Sequence, residues 1–496
     1  MKKLIKLNVL FILIMMGCQG LDPEVIGTLN PSSFPKTSKE YEAYAMEVYV
    51  PFSSKWPYNE TAGVETYHFF GLEEGHIQLY DAPSDLLTEF TEWGDGGAYW
   101  QSKSRGYFVN MIGAARNRSH FEKVRFVTRT TQIIDDLQKA TVFTDENFRN
   151  QLIGEVKMAR AWAMYFMLHL FGPVPVILDP TKIGNAQAEA DLSRPSRTDY
   201  VNSIAADLRF AADNLPKSAS NYGRFNKGIA LTVLMRLYMN ERDFQKAEPI
   251  GREIKALGYD LVSDYMSLFR EATEVNNETI YAISCDGASQ GRSGDGNFNA
   301  YTYYTLPSDF TSHAGWASPN AVFMATWDFY DSFNPADKRR QMLVASYGTR
   351  DRTNLRGAVI NKYPAEGTGA YQGNDIVLAR YADVLLMLAE AINENNAGPT
   401  AEAIGFVNYV RQKHGGISDL AAADTGSKQA FNTAILRERG WDLFFEGLRK
   451  FDLQRHGKWP TAVAAVTNKT PGPYLLPIPQ YALTDSKGSL LQNEGY

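Results

Sequence analysis

The chain has 496 residues, of which 44% are hydrophobic and 21% are charged, an ordinary composition for a globular protein. Its formal net charge is −6, and it would be −9 without Lys2, Lys3 and Lys6. Because no basic stripe is present to replace counterions, nucleic acid is excluded as the expected partner. The length permits several domains or a single large one.

The first twenty residues have the pattern of a secretion signal. Three lysines flank or precede an apolar run over 7–16, which is too short to span a bilayer as a helix. The residues Met15-Met16-Gly17-Cys18 resemble a lipobox, in which the cysteine becomes the lipid-carrying N-terminus. We therefore expect 1–17 to be a lipoprotein signal peptide and Cys18 to be the lipidation site. With Cys18 acylated, Cys285 has no partner for a disulfide.

A helix is predicted over 39–50, and a loop-rich excursion with many turn formers follows it. The excursion ends in a Gly-rich turn that holds Trp93, Tyr99 and Trp100. Three large aromatics argue against a purely disordered segment. Long loops that are not disordered are commonly functional.

One cluster in this excursion has residue types that bind metals, namely His68, Glu73, Glu74 and His76. Its spacing fits no standard zinc site, so a solvated loop is the preferred interpretation. No metal and no cofactor are expected.

The middle of the chain has the apolar periodicity of helices. Helices are predicted over 107–139 (as two), 148–171, 197–214, and as helix pairs over 224–257 and 379–413. The two pairs resemble tetratricopeptide hairpins, which bury their apolar faces by stacking on each other. The predicted fold class is mainly α, a tetratricopeptide-like helical-repeat scaffold with loop-rich excursions and a few short strands. No linker divides it, so 18–496 is predicted to be one domain.

A second stretch of different composition lies between the two helix pairs. Residues 278–284 alternate like a strand, and 285–318 is rich in Gly, Ser, Asn and Tyr. A helix is predicted to resume over 320–333. We interpret about 51–105 as a first loop and 285–318 as a second loop, both inserted in the helical scaffold.

Aromatic residues are concentrated in both loops. A sugar ring has an apolar C–H face and a hydroxylated edge, which aromatic planes beside Asn, Asp and Arg side chains suit. The candidate ligand-binding residues are Trp316, Trp93, Trp100, Tyr301 and Tyr303.

The segment 434–459 is predicted to be one helix with a wide apolar stripe. A second stripe carries Arg439, Asp442, Glu446 and Arg449. The preferred interpretation is a structural ion-pair ladder in which the two arginines neutralise the two carboxylates. The alternative, a catalytic acid/base pair, is disfavoured because such ladders often imitate active sites.

Residues 438–455 also resemble the C-terminal signature of the SusD/RagB family. The signature positions that match are Glu438, Arg439, Glu446, Gly447, Arg449, Asp452, Leu453 and Arg455, with Asp442 where glutamate is usual. Other segments resemble the family in the expected order. They are Leu170-Phe171-Gly172 with Val174-Pro175, the D-x-R motif of Asp337 and Arg339, and the tail residues Ile478-Pro479, Gln492, Asn493 and Gly495-Tyr496.

The resemblance implies a lipoprotein of the outer membrane that faces the cell surface. It implies a partner, a TonB-dependent barrel transporter on which the protein sits as a lid, and an oligosaccharide ligand that is handed over. It also implies that aromatics ahead of the D-x-R helix contribute to the ligand platform.

Two alternatives remain open. One is a helical-repeat lipoprotein that binds peptide or protein cargo, because fold alone does not settle what a repeat protein binds. The other is a glycoside hydrolase, which needs two carboxylates roughly 5–10 Å apart in a cleft. Its candidates would be Asp81, Asp85 and Glu92, or Asp295 and Asp309. None of these lies in a motif that fixes their spacing, so no enzymatic activity is expected.

Overall fold

The structure is a computed structural model. It describes residues 34–54, 58–59, 65–66, 68–71, 75–89, 115–219, 221–287, 297–307, 309–310, 323–366, 372–468 and 470–496. Helices dominate these ranges and strands are few and short, as the predicted fold class requires. None of the helices found in these ranges has the length and apolar character of a membrane span.

The helices before the second loop are α1 Ser38–Ala45, α2 Ala115–Glu122, α3 Val124–Lys139, α4 Glu146–Phe171, α5 Ala186–Ala190, α6 Arg197–Asn214, α7 Lys227–Asn240 and α8 Phe244–Ala256. Those from the second loop onward are α9 Tyr301–Thr305, α10 Trp327–Ser332, α11 Tyr381–Asn395, α12 Ala401–Val410, α13 Ala422–Thr425, α14 Lys428–Asp442, α15 Arg449–Arg455, α16 Trp459–Thr467 and α17 Gln480–Asp485.

The longest helix, α4, has clear start and stop signals. The Asp145 carboxylate accepts hydrogen bonds from the N–H groups of Asn147 and Phe148, which otherwise have no partner at a helix start. Gly172 ends the helix with φ of 78°, a conformation that favours glycine. This end is also fastened by the tail, because the Asn493 amide donates to the carbonyl oxygen of Phe171 at 3.1 Å.

The helices stack in chain order. Helix α4 packs against α3 and α6, α6 against α7, and α7 against α8. Helix α8 then packs against α11, and α11 against α12 and α14. The two predicted repeat pairs, α7/α8 and α11/α12, are therefore direct neighbours. Helix α11 is buried from Tyr381 to Asn393, which its nearly continuous apolar sequence permits.

In the described ranges, the strands form three small antiparallel sheets. They are β1 Tyr58–Asn59 with β2 Glu65–Thr66, β4 Thr279–Ile283 with β8 Ile376–Arg380, and a sheet ordered β3-β5-β7-β6 from Leu87–Glu89, Phe323–Ala325, Ala358–Ile360 and Leu343–Val344. The strand predicted over 278–284 is confirmed. The helix predicted over 320–333 is wrong in its first half, because Phe323–Ala325 pairs as β5 with strands on both sides.

The continuous helix predicted over 434–459 is also wrong. Helix α14 ends at Asp442, and the chain turns through Phe445 and Gly447, whose φ angles are 60° and 73°. Helix α15 begins only at Arg449. The helical spacing assumed for the charged stripe therefore does not hold across this turn.

Candidate functional site

Most of the predicted site residues lie outside the described residues. This is the case for Trp93, Trp100, Trp316 and the lipidation site Cys18. The backbone of Tyr303 belongs to α9. The described ends of both loops nevertheless show how the loops are held.

Tyr301 lies in the core instead of on an exposed face. Only 3% of its surface is accessible, and its ring centroid is 5.3 Å from those of Tyr363 and Phe445. Burial raises the pKa of its hydroxyl well above the usual value. The expectation that Tyr301 presents its ring to a surface ligand is therefore corrected. Its short helix α9 packs against β5, which turns this side chain inward.

Strand pairing joins the two loops. Strand β3 of the first loop runs antiparallel to β5, which follows the second loop, with Glu89 opposite Phe323 and Leu87 opposite Ala325. The Thr326 N–H adds a hydrogen bond to the carbonyl oxygen of Leu86 at 2.9 Å. The last residue of β3, four positions before Trp93 in the sequence, thus pairs with the first residue of β5, seven positions after Trp316.

A second contact ties the beginning of the first loop to the second. Ser54 donates from its hydroxyl to the carbonyl oxygen of Phe298 at 2.8 Å. The side-chain oxygen of Asn297 accepts from the Ser53 hydroxyl at 2.8 Å and from the Ser54 N–H at 3.2 Å. Both loops are therefore fastened to each other at two separate points of the scaffold.

The C-terminal signature anchors the first loop. The Asp81 carboxylate accepts from the N–H groups of Gly447 at 2.7 Å and Arg449 at 3.0 Å, so it caps the start of α15. The Arg449 guanidinium binds both oxygens of Asp85 at 2.8 Å. The Trp459 indole donates to the carbonyl oxygen of Pro83 at 2.7 Å. These contacts hold the segment that leads directly into β3.

A buried ion network lies behind this anchor. Its members are Glu278, Asp337, Arg339, Lys362, Arg380, Arg411, His414, Glu438, Asp442 and Glu446, all of them buried. Arg380 is central, since it binds Asp442 at 2.5 Å, Glu446 at 3.0 Å and Glu278 at 3.1 Å. The D-x-R motif enters through Arg339, which binds Asp337, Glu438 and Asp442.

The pairing predicted for the charged stripe is wrong, although its four side chains do form structural ion pairs and are all buried. Asp442 is neutralised by Arg339, Arg380 and His414, and Glu446 by Lys362 and Arg380. Of the two arginines, Arg439 binds Asp383 and Asp452, and Arg449 binds Asp85. The turn at Phe445 and Gly447 separates Arg439 and Asp442 from Glu446 and Arg449, so the four side chains do not share one helix face.

His414 is held between two carboxylates. Its Nδ1 lies 2.8 Å from Asp442 and its Nε2 lies 2.9 Å from Glu278. Burial alone would lower its pKa, but the Asp442 and Glu278 carboxylates raise the pKa to about 9. The imidazole is therefore protonated near neutral pH, and both of its N–H groups donate. With His414 protonated, the network contains equal numbers of basic and acidic side chains.

Local sequence patterns did not identify Lys362, Arg380, His414 or Glu278. Each is separated from its partners by many residues, so no spacing rule connects them. The solvated loop predicted for this cluster is wrong at its two histidines, because His68 and His76 are 6% and 4% exposed. Glu73 and Glu74 lie outside the described residues. Within the described ranges, no group of three or more metal-ligating side chains is suitably arranged.

The carboxylates considered for hydrolysis have other uses. Asp81 is fully buried and caps α15. Burial raises its pKa to about 6, although the hydrogen bonds that it accepts from two backbone N–H groups lower the pKa. Asp85 pairs with Arg449, and Asp309 binds Arg350 at 2.9 Å and Tyr347 at 2.8 Å. Glu92 and Asp295 lie outside the described residues.

Stacked helix pairs and two loops that are joined at their described ends define a helical-repeat protein with two loop insertions. Two family models match this chain. The model described as "SusD family" covers residues 346–496, and the one described as "Starch-binding associating with outer membrane" covers residues 114–239. The chain belongs to the SusD/RagB family.

Individual relatives agree. SusD-like protein P2 of Formosa agariphila is 24% identical over the full length of both chains. The starch-binding protein SusD of Bacteroides thetaiotaomicron is 22% identical over 86% of this chain and 87% of its own.

The fold is shared with solved structures. Surface glycan-binding protein A from Bacteroides fluxus has a TM-score of 0.76 at 21% identity, covering 93% of this chain and 100% of its own. The corresponding protein from Bacteroides thetaiotaomicron, in complex with laminarihexaose, has a TM-score of 0.74 at 19% identity over 93% of this chain and 100% of its own.

Proposed function

We propose that this protein is an outer-membrane lipoprotein that binds oligosaccharide at the cell surface and passes it to a partner TonB-dependent transporter. It is not an enzyme and its single domain covers 18–496. The observation that carries the proposal is the pairing of β3 with β5, because it ties together the two loops that contain the candidate aromatics. The names of relatives that bind starch or laminarihexaose support a glycan as ligand.

Chain length limits how far apart the aromatics can lie. Trp93 follows Glu89 by four positions, and Trp316 precedes Phe323 by seven. At about 3.5 Å per residue, four and seven residues of chain reach at most roughly 14 Å and 25 Å from this strand pair. Rigidly held loops are where binding residues concentrate, which supports a platform of Trp93, Trp100, Trp316 and Tyr303.

Calorimetric titration of the protein from residue 19 onward tests the proposal. The panel consists of laminarin, soluble starch, xylan, galactomannan and pectin. At least one should bind with a Kd on the order of µM to mM, the range of a shallow and wet surface. Trp316→Ala should abolish that binding and keep the melting temperature, with Trp327→Ala as a control at a half-buried tryptophan.

Loss of stability without loss of binding in Trp316→Ala would remove Trp316 from the site. Failure of every polysaccharide to bind would overturn the proposed function. Peptide or protein cargo would then become the leading hypothesis.

A further inference from the structure

A cleft of about 330 Å³ opens beside the first residues of the second loop. It is lined by the connection between α6 and α7 and by the segment before and within β4. Tyr222 stands in this cleft with 52% of its surface exposed, and it is the only aromatic among the exposed large hydrophobic residues of the described ranges. Val275, which is 75% exposed, also lines it. The exposed apolar surface of Tyr222 and Val275 is thus concentrated in one cleft.

The Tyr222 ring is held in position. Its hydroxyl donates to one oxygen of Asp375 at 2.5 Å, and the other oxygen accepts from the Cys285 N–H at 2.8 Å. The Asp375 N–H in turn donates to Glu274 at 2.8 Å. An exposed ring whose orientation is fixed before binding loses little conformational entropy when a ligand covers it. Asp375 also connects Tyr222 directly to the stem of the second loop.

Polar groups with spare hydrogen-bonding capacity surround the ring. Thr279 lines the cleft, and its hydroxyl is buried without a hydrogen-bond partner in the described part of the chain. Glu274 uses one carboxylate oxygen for the Asp375 N–H. Arg224, the arginine of the cleft, is neutralised by Glu42 and Glu155. Lys217 and Glu274 also line the cleft, one base and one acid. The cleft therefore offers an aromatic plane, donors and acceptors, and no excess of one charge sign.

These features suit a neutral sugar ring, whose C–H face covers an aromatic plane while its hydroxyls both donate and accept. The volume is near the lower end for ligand pockets, enough for one or two rings. We infer that the cleft around Tyr222 is a second carbohydrate subsite, which binds a further stretch of the same neutral glycan that the two loops hold. This inference rests on the proposed function, since it needs a glycan on the loops.

Variants at Tyr222 test the subsite with the polysaccharide that the panel identifies and with a trisaccharide cut from it. Tyr222→Ala should weaken polysaccharide binding by about five- to tenfold, as loss of an aromatic contact does, and leave trisaccharide binding at the loops unchanged. Tyr222→Phe keeps the ring but loses the hydrogen bond to Asp375, so it should weaken polysaccharide binding by less than Tyr222→Ala does. Tyr409→Ala is the matched control, because Asp260 holds that tyrosine in the same way but it does not line the cleft.

Hydrogen–deuterium exchange gives a direct readout. Peptides covering 215–226 and 270–282 should gain protection when the polysaccharide is added to wild type, and should lose that gain in Tyr222→Ala. Unchanged polysaccharide affinity in Tyr222→Ala, an equal loss for the trisaccharide, or no added protection would overturn the subsite and leave the proposed function intact. If no polysaccharide binds wild type, the proposed function and the subsite are both overturned.

Discussion

Buried charges are the residues on which this fold depends most directly. Arg380 is almost completely buried, and three carboxylates compete for its guanidinium. The exposed Arg252 makes contacts of similar length with Glu248 and Glu402, at 2.8 and 2.9 Å. Distance alone therefore does not separate the two sites, and burial decides what each ion pair contributes.

Replacing Arg380 by methionine should be severely destabilising. The substitution leaves buried carboxylates without their cation, which costs about 3–5 kcal/mol of the free energy of unfolding. Arg252→Met should cost less than about 1 kcal/mol because solvent screens that pair. Guanidinium denaturation of both variants is the measurement. Equal losses would show that burial of the network does not control stability.

His414 predicts a pH dependence with a definite sign. Its folded-state pKa of about 9 lies above the usual 6.5, so its stabilisation is complete below pH 6.5 and is lost as the pH rises through about 9. The full effect is roughly 3 kcal/mol.

The comparison is between wild type and His414→Gln at pH 6.5 and pH 9.5. Burial lowers the pKa of Lys362 to about 8, so its contribution to stability grows as the pH rises, opposite to that of His414. Because Lys362 is present in both proteins, the difference between their stability losses reports His414. Wild type should lose more stability than the variant on going to pH 9.5. Parallel losses would mean that His414 is not charged in the fold.

Among the elements, the turn between α14 and α15 has the most consequences. It ends the helix at Asp442, so that Asp442 can face the ion network, and it presents two N–H groups to Asp81 of the first loop. At Gly447, φ is 73° and an added Cβ would lie 2.5 Å from the His76 ring. Only glycine satisfies both conditions.

Gly447→Ala should therefore destabilise the protein, by about 2–4 kcal/mol from backbone strain and overpacking together. Gly405→Ala is its control, because Gly405 lies at an exposed position inside α12 and an added Cβ meets nothing within 4 Å. That change should stabilise by about 0.5–1 kcal/mol. Thermal unfolding of both variants checks the opposite signs, and a neutral Gly447→Ala would contradict the account of this turn.

At the scale of the whole molecule, the ion network joins distant parts of the chain. It takes side chains from Glu278 just before β4, from β8 and α14, from the turn after α14, and from the segments around Arg339, Lys362 and His414. A chain fastened in this way should unfold as one domain. We expect a single calorimetric transition, which Arg380→Met lowers as a whole; two separable transitions would divide 18–496 into independent units.

The proposed location also belongs to this scale. Cys18→Ala should release the protein from the outer-membrane fraction, because acyl chains on that cysteine would supply its membrane affinity. Fractionation followed by immunoblotting measures this, with Cys285→Ala as the control cysteine variant. Retention of Cys18→Ala at the wild-type level would show that another anchor exists.

The sequence by itself determined the fold class, the family and the bounds of some of the long helices. Periodicity placed α6 at its observed bounds and α4 within two residues of its start, because local apolar patterns and caps act over one or two turns. The same patterns failed at Phe323–Ala325, where pairing with strands from other parts of the chain overrides helical spacing.

Only the tertiary structure decided which charges meet and which aromatics are buried. Asp442 and Arg380 are 62 positions apart, and Arg449 and Asp85 are 364 apart, so no spacing in the sequence could pair them. Tyr301 and Tyr222 are equally tyrosines in Gly- and Asn-rich surroundings, yet one is 3% exposed and the other 52%. The physical reason is that burial and ion pairing depend on what the rest of the chain brings to a residue, which its own neighbours do not encode.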